Sequence, residues 1–292
     1  MSEPRAVLGP NRYGKAETRV VRVQRIGDVH DLIDLNVSIA LSGDLTDTHL
    51  SGDNSHVLPT DTQKNTVFAF AGDGIDTAEE FALRLARHFV ATQEAITHTR
   101  VVIDRYAWDR LAVAGEPAPH SFRRAGSEVR TVHVEHGTAE DLVVAGVRDL
   151  VVLNSAGSEF VGFAVDEYTT LAAATDRILA TAVDARWRYA AECDDWDATH
   201  ARARGCLLEA FARTYSRSLQ QTLYAMGAAV IEQVPQVVEV RLALPNRHHF
   251  LADLSPFGRD NPGVVFHAAD RPYGLIEGTV LRPGTLADAR HW

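Results

Sequence analysis

The order of predicted strands and helices is the feature that most restricts how this chain can fold. In the first half, Leu35, Val37 and Ile39 alternate with small or polar residues, which is the period of a half-buried strand. A helix is predicted to follow Thr77, because Thr77 and Glu80 have the spacing of a capping box. The predicted order is strand, strand, helix, strand, strand, over residues 19–27, 31–43, 77–93, 97–112 and 127–135.

The second half repeats this order. Apolar residues recur at three- and four-residue steps from Leu208 to Met226, which predicts one long helix from about Asp197, its N-cap, to near Ile231. A further helix is predicted over residues 166–181. The predicted strands lie over residues 142–153, 183–190, 236–244 and 274–282.

Two such units in tandem, over residues 1–140 and 141–292, predict an α+β protein. Each unit is expected to form an antiparallel sheet with its helices on one face. The bare face of such a sheet must be covered by another sheet or by another copy of the chain. We therefore expect the protein to form an oligomer.

Charge and composition exclude several classes of function. The 292 residues include 29 lysines and arginines against 39 aspartates and glutamates, a net charge of −10, whereas general nucleic-acid binding needs a basic surface. No apolar run approaches the ~20 residues of a membrane span, and the start lacks the apolar core of a signal peptide. Two cysteines are too few for a disulfide framework, and the chain does not end in Ser-Lys-Leu. A cytoplasmic protein that binds neither nucleic acid nor membrane is predicted.

The common catalytic and metal-binding motifs are not found. The sequence has no P-loop, Rossmann glycine fingerprint, Gly-x-Ser-x-Gly or His-Glu-x-x-His. His133, Glu135 and His136 form the densest metal-like group, but strand alternation separates His136 from the other two, so a solvated polar strand face is favoured. Residues 194–197 are interpreted as a helix cap, and Cys193 and Cys206 as small apolar residues. No metal site is predicted.

Several short segments, in order along nearly the whole chain, resemble the urate oxidase (uricase) family. They are RYGK at 12–15, DNS at 53–55, TD at 60–61, KNT at 64–66, HSF at 120–122, the block 150–177, SLQ at 218–220 and LPNRH at 244–248. The central block matches the family signature at Phe160, Phe163, Tyr168, Leu171 and Arg177. It departs at Asn154 and Ala156, where the family usually has Lys and Ser or Thr. Both positions precede the predicted ligand residues, so we expect them to alter local packing rather than chemistry.

This resemblance implies a fold and a reaction. The fold would be the tunnelling fold (T-fold), with two tandem units per chain and a homotetramer whose active sites lie between subunits. The reaction would use no cofactor and would convert urate, dioxygen and water to 5-hydroxyisourate and hydrogen peroxide.

The resemblance also implies the residues that bind urate. Arg177 and Gln220 would hold the rim of the anion, because a guanidinium donates two parallel hydrogen bonds and an amide both donates and accepts. Phe160 would stack on the ring. The backbone N–H groups of Leu219 and Asp61 would add further contacts.

A proton relay is implied as well. Lys15, Thr60 and His248 would form it, with Lys15 as the base. An exposed lysine is protonated at neutral pH, so this role requires burial, and a neighbouring histidine could take up or return the proton. Asn246 and Thr60 would hold dioxygen, and then water, over the ring.

Other interpretations of these residues remain open at this point. Arg177 could cap the C-terminus of the predicted helix, Phe160 could belong to the core, and Lys15 could be a surface lysine in a loose N-terminal segment. At the level of function, the alternatives are another purine or pterin enzyme of the same fold, which would need a histidine and cysteine zinc set, and a non-catalytic purine-binding protein.

Overall fold

The computed structural model describes residues 6–137, 140–191, 193–269, 271–290 and 292. The chain forms two compact units, one running to Ala145 and including Trp292, the other Gly146–His291. The predicted α+β class, with antiparallel strands and packed helices in each unit, is confirmed. Among the described residues, no helix combines the length and the apolar character needed to cross a membrane.

The first unit is built on four strands in the order β1-β2-β3-β4, and each neighbouring pair is antiparallel. Helix α2 packs against β1, and α3 packs against β3 and β4. The elements of the unit are β1 (Tyr13–Ile26), β2 (Val29–Gly43), α1 (Thr46–Leu50), α2 (Thr60–Asp73), α3 (Ala78–Thr92), β3 (Ile96–Val113) and β4 (Glu116–His136).

The predicted patterns explain the core of this unit. Leu35 and Val37 of β2 are fully buried, and so are Phe81 and Leu85 on the apolar face of α3. Thr77 caps α3 as predicted, accepting a hydrogen bond from the backbone N–H three residues later at 3.2 Å. Sheet and helix therefore each bury one apolar face.

The second unit has its strands in the order β5-β6-β7-β10, with β6 and β10 both antiparallel to β7. Helix α5 packs against β7 and β10, α4 packs against α5, and β8 and β9 form a separate hairpin. The elements are β5 (Leu142–Asn154, from Gly146 onward in this unit), β6 (Leu179–Tyr189), α4 (Trp196–Arg213), α5 (Leu219–Gln233), β7 (Val237–Pro245), β8 (His248–Leu251), a 3-10 helix (Ser255–Phe257), β9 (Phe266–Ala269) and β10 (Leu275–Leu281).

The prediction of one long helix in this unit was wrong. Two helices are present, separated by residues 214–218, and the N-cap of the first is Asp195 rather than Asp197. The separation arises because Ser216 leaves the helical path: its N–H donates to the Gly157 carbonyl at 2.9 Å, and its own carbonyl accepts from the Glu159 N–H at 2.8 Å. Such long-range hydrogen bonds leave no helical period in the sequence.

The helix predicted over residues 166–181 was also wrong. Asp166 accepts a hydrogen bond from the Tyr168 N–H at 3.0 Å, and the Thr169 hydroxyl accepts from the Asp166 N–H at 2.8 Å. These local bonds compete with a helix. The following residues contain no helix: Ala174 pairs with Phe160 in an antiparallel bridge, and β6 begins at Leu179.

Several elements were absent from the prediction. Helices α1 and α2 and the hairpin β8–β9 were missed, and β4 begins at Glu116 because the hairpin turn is Ala114-Gly115, both at positive φ. In α2 the buried residues are Gln63, Val67 and Ala71, so the helix has almost no apolar period to detect.

The pair His133 and Glu135 shares one face of β4, as predicted, but this face is not fully solvated. The carboxylate of Glu135 is buried and lies 3.1 Å from His133 Nε2 and 3.4 Å from His98 Nε2. Hydrogen bonds from His133 and then His98 hold the pKa of Glu135 well below its usual range. His136 instead contacts Asp141 at 2.6 Å.

The two cysteines differ. Cys206 is buried, as expected of a small apolar residue. Cys193 is half-buried and its Sγ lies 3.0 Å from the Thr199 hydroxyl, so its interpretation as an apolar residue was wrong.

Replacing Ser218 with alanine should destabilise the second unit. The Ser218 hydroxyl caps α5 by accepting from the Gln221 N–H at 3.2 Å, and loss of such a cap costs about 1 kcal/mol. Chemical denaturation of Ser218→Ala should show this loss, with the exposed Ser155→Ala as control. An unchanged free energy of unfolding would mean that the cap contributes nothing.

Candidate active site

Lys15 lies in the ordered edge strand β1, paired with Ile39, rather than in a loose segment. The backbone of β1 can lie close to that of β2 here because Gly14 has no side chain: a Cβ at this position would lie 1.8 Å from the Ile39 carbonyl oxygen. The register shifts directly after Lys15, where Glu17 has a φ of 56°. Bulges of this kind redirect side chains, so the half-buried Lys15 is presented at a local irregularity of the sheet.

Thr60 and Asp61 are the first two residues of α2. At this position the backbone N–H groups have no partner within the helix, so the Asp61 N–H can bind a ligand acceptor. The Asp61 carboxylate pairs with Lys64 and accepts from Asn65 at 3.2 Å. The Lys64 hydrogen bond is the main cause that lowers the pKa of Asp61, and the charge of Lys15 contributes, so Lys15 and Asp61 share one electrostatic environment.

In the second unit, Arg177 lies beside Phe160. The guanidinium carbon is 5.2 Å from the centroid of the Phe160 ring, and Phe163 stacks on the same ring at 5.0 Å and 11°. Both Arg177 and Phe160 are half-buried, so Phe160 is not a core residue, and Arg177 caps no helix. Burial lowers the pKa of Arg177 from its usual value, yet a guanidinium remains charged at neutral pH.

Asn246 and His248 follow the end of β7. Asn246 bridges to Thr181, and its N–H donates to the Gly274 carbonyl at 2.8 Å. His248 is half-buried, and its pKa is lowered mainly by burial and further by the positive charge of Arg177. The imidazole is therefore neutral at neutral pH and has a nitrogen available to accept a proton.

Leu219 and Gln220 begin α5, where backbone N–H groups are again unpaired within the helix. The Leu219 side chain is buried and anchors the helix start, while Gln220 is exposed. This helix start is tied to the Arg177 segment by the parallel bridge between Ser158 and Ser216. Sequence reasoning did not single out either serine, because both contacts are made only in the folded chain.

The predicted residues thus fall into two groups. In the first unit, Lys15 and Asp61 interact, with Thr60 adjacent in α2. In the second unit, Arg177 interacts with both Phe160 and His248. The second group combines a cation, an aromatic face and a neutral imidazole, which is a chemistry suited to a planar anion that must lose protons.

Asn154, one of the two family departures, makes a local contact. Its side-chain amide donates to the Phe211 carbonyl at 3.0 Å, near the C-terminus of α4. Helix C-termini expose such unpaired carbonyls. Ala156 is exposed.

Replacing Arg177 with glutamine should raise the pKa of His248. The positive charge of Arg177 disfavours protonated His248, so its removal makes protonation easier, while burial continues to hold the pKa below the usual 6.5. An NMR titration of the imidazole would measure this shift, with Arg213→Gln on an exposed helix end as control. A pKa that does not move would show that the two side chains are not coupled.

Comparison with known proteins identifies the family of this chain. The Uricase family model matches residues 11–135 and 143–277. The chain is 54% identical over 288 residues to the uricase of Arthrobacter globiformis, covering 99% of this chain and 94% of the relative. It is 36% identical over 277 residues to the uricase of Danio rerio, covering 92% and 93%.

Solved structures give the same result. The crystal structure of uricase from Arthrobacter globiformis superposes with a TM-score of 0.93 at 54% identity, covering 98% of both chains. A uricase from Bacillus fastidious gives a TM-score of 0.80 at 25% identity, covering 95% of this chain and 94% of that one. On the family model, the full-length identity and the shared fold, this chain belongs to the uricase family, the urate oxidases.

Proposed function

We propose that this protein oxidises urate with dioxygen and water to 5-hydroxyisourate and hydrogen peroxide, without a metal or organic cofactor. The observation that carries the proposal is the half-buried Arg177, whose charge lies over Phe160 and beside the neutral His248. Within the described ranges, no carboxylate lies within salt-bridge distance of this guanidinium. Its charge is therefore available for a planar anion.

Recognition of urate is assigned to six groups. Arg177 and the Gln220 amide hold opposite parts of the rim, and Phe160 stacks on the ring. The N–H groups of Leu219 and Asp61, both at helix starts, donate to further acceptors of the anion. Asn246 approaches from the face where dioxygen reacts.

The base is assigned to Lys15, with Thr60 and His248 completing the relay. The chain contains 27 arginines but only two lysines, Lys15 and Lys64. An arginine cannot release its proton under physiological conditions, whereas a lysine can. A lysine at position 15, in a protein whose basic side chains are almost all arginine, fits a group that must exchange a proton.

The chemistry balances without an added oxidant. Doubly deprotonated urate is a strong reductant that gives two electrons to dioxygen, and dioxygen takes up two protons to become peroxide. Water then adds to the oxidised ring and leaves its hydroxyl on C5, which yields 5-hydroxyisourate. In this proposal Thr60 and Asn246 hold first dioxygen and then water, and the relay returns the protons.

The assembly is proposed to be a homotetramer with active sites between subunits. Large apolar side chains are exposed on the edge strand β1 at Val21, Val23 and Ile26, and on the segment after Phe160 at Val165 and Tyr168. Exposed apolar side chains on an edge strand and on a loop offer surfaces on which another copy of the chain could pack. A cytoplasmic location stays a prediction.

The test uses protein freed of metals by chelation and dialysis. We expect urate absorbance to fall, with one dioxygen consumed and one peroxide released per urate. The Lys15→Met variant, purified in the same way, controls for contaminating activity. Binding of urate without peroxide release would instead indicate a silent purine-binding protein, and activity that returns only with added zinc or another metal would contradict the cofactor-free proposal.

A further inference from the structure

Ser158 is the one side chain that hydrogen-bonds to Arg177 among the residues that the structure describes. Arg177 Nε donates to the Ser158 hydroxyl at 3.3 Å, and the Arg177 backbone N–H donates to the Ser158 carbonyl at 2.9 Å. In the described part of the chain, the guanidinium has no other hydrogen-bond partner. Within the described ranges, the Ser158 hydroxyl is therefore the one hydrogen-bond acceptor for this guanidinium, which also lies beside the Phe160 ring.

Ser158 is itself held firmly. It has no exposed surface, and it pairs with the equally buried Ser216 in a parallel bridge. From within α5, the Thr222 hydroxyl donates to Ser216 Oγ at 2.8 Å. A continuous chain of buried contacts thus links Arg177 to the helix that begins at Leu219.

We propose that Ser158 is a positioning residue for substrate binding that acts through Arg177. Its hydroxyl occupies Nε and leaves the two terminal nitrogens of the guanidinium for the acceptor edge of a planar purine anion. A carboxylate at this place would also orient Arg177, but it would neutralise the charge that the anion requires. A buried hydroxyl orients the cation without competing for it.

This inference rests on the proposed function, and it predicts a specific kinetic signature. Arg177 contacts the anion before and during oxidation, so a misoriented Arg177 weakens binding of substrate and transition state alike. In Ser158→Ala we expect KM for urate to rise about tenfold, with kcat within about threefold of the parent. The dissociation constant of xanthine, a planar purine without the 8-oxygen, should rise by a similar factor.

The experiment compares three variants of the full-length protein. Ser158→Ala removes the hydroxyl, Ser158→Cys keeps nearly the same shape with a much weaker acceptor, and Ser155→Ala changes an exposed serine of the same segment as control. Thermal unfolding without ligand identifies any variant that is not folded. If Ser158→Ala does not fold, the cysteine variant supplies the measurement.

Raised KM and raised xanthine dissociation constant in both Ser158 variants, with kcat retained and Ser155→Ala unchanged, would support the proposal. Parental KM in Ser158→Ala, or parental behaviour of Ser158→Cys, would overturn it, and so would a loss confined to kcat. If the parent protein binds xanthine but does not oxidise urate, the proposed function fails while the xanthine titration still tests Ser158.

Discussion

Lys15→Met is expected to lower kcat for urate by about 100-fold to 10,000-fold, which is the range that general base catalysis contributes. Methionine has nearly the length of lysine but no proton to exchange, so the half-buried position in β1 stays filled. Affinity for xanthine should change by less than about threefold, because the role assigned to Lys15 is proton transfer rather than binding. Steady-state kinetics and a binding titration would separate the two effects.

Two further substitutions make this test specific. Lys15→Arg keeps the positive charge but cannot act as a base, so it should be nearly as inactive as Lys15→Met. Lys64→Arg changes the only other lysine and keeps a cation beside Asp61, so it should be close to the parent. High turnover in Lys15→Arg would show that position 15 supplies charge alone, and the base would have to be another group.

Arg177→Ala is expected to weaken binding of urate and of xanthine by about 100-fold, equivalent to about 2.7 kcal/mol. The half-buried guanidinium is the positive charge beside the Phe160 ring. Without it, an anion stacked on that ring would lose its ion pair with Arg177. Isothermal titration with xanthine would measure the change. Arg213→Ala, an exposed arginine at the end of α4, is the matched control.

The same variant also tests whether Arg177 and His248 are electrostatically coupled. Because His248 lies in the field of Arg177, the variant should also bring the pKa of His248 closer to its usual value. An affinity for xanthine equal to that of the parent would contradict the role of Arg177 as the anion-binding residue, even if turnover of urate falls.

Much of the fold could be predicted from local patterns. Two examples are the alternation through Leu35 and Val37 and the helix cap at Thr77. Both depend on residues that are close together in the sequence, so a local pattern reveals them. The two helix errors have different causes, one a long-range pairing and the other a local turn. Ser216 breaks the long helix by pairing with the segment around Ser158, and Asp166 with Thr169 turns the chain where a helix was expected.

Candidate site residues could be chosen from the sequence, but the contacts that hold them in place could not. Motif resemblance singled out Arg177 and Phe160, because their residue types are needed for binding a planar anion. It did not reveal that Ser158 orients Arg177 or that the break before Leu219 creates the helix start. Those contacts depend on hydrogen bonds between residues about 20 to 60 positions apart in sequence, for which a single sequence has no local signal.

The most direct test of the account is a crystal structure of the assembled protein with xanthine bound. We predict one planar purine stacked on Phe160, with Arg177 and Gln220 of one subunit at its rim and Lys15 and Thr60 of a neighbouring subunit at hydrogen-bond distance, directly or through one water. A structure in which the purine binds away from Arg177, or in which Lys15 lies far from the ligand in every subunit, would contradict the account.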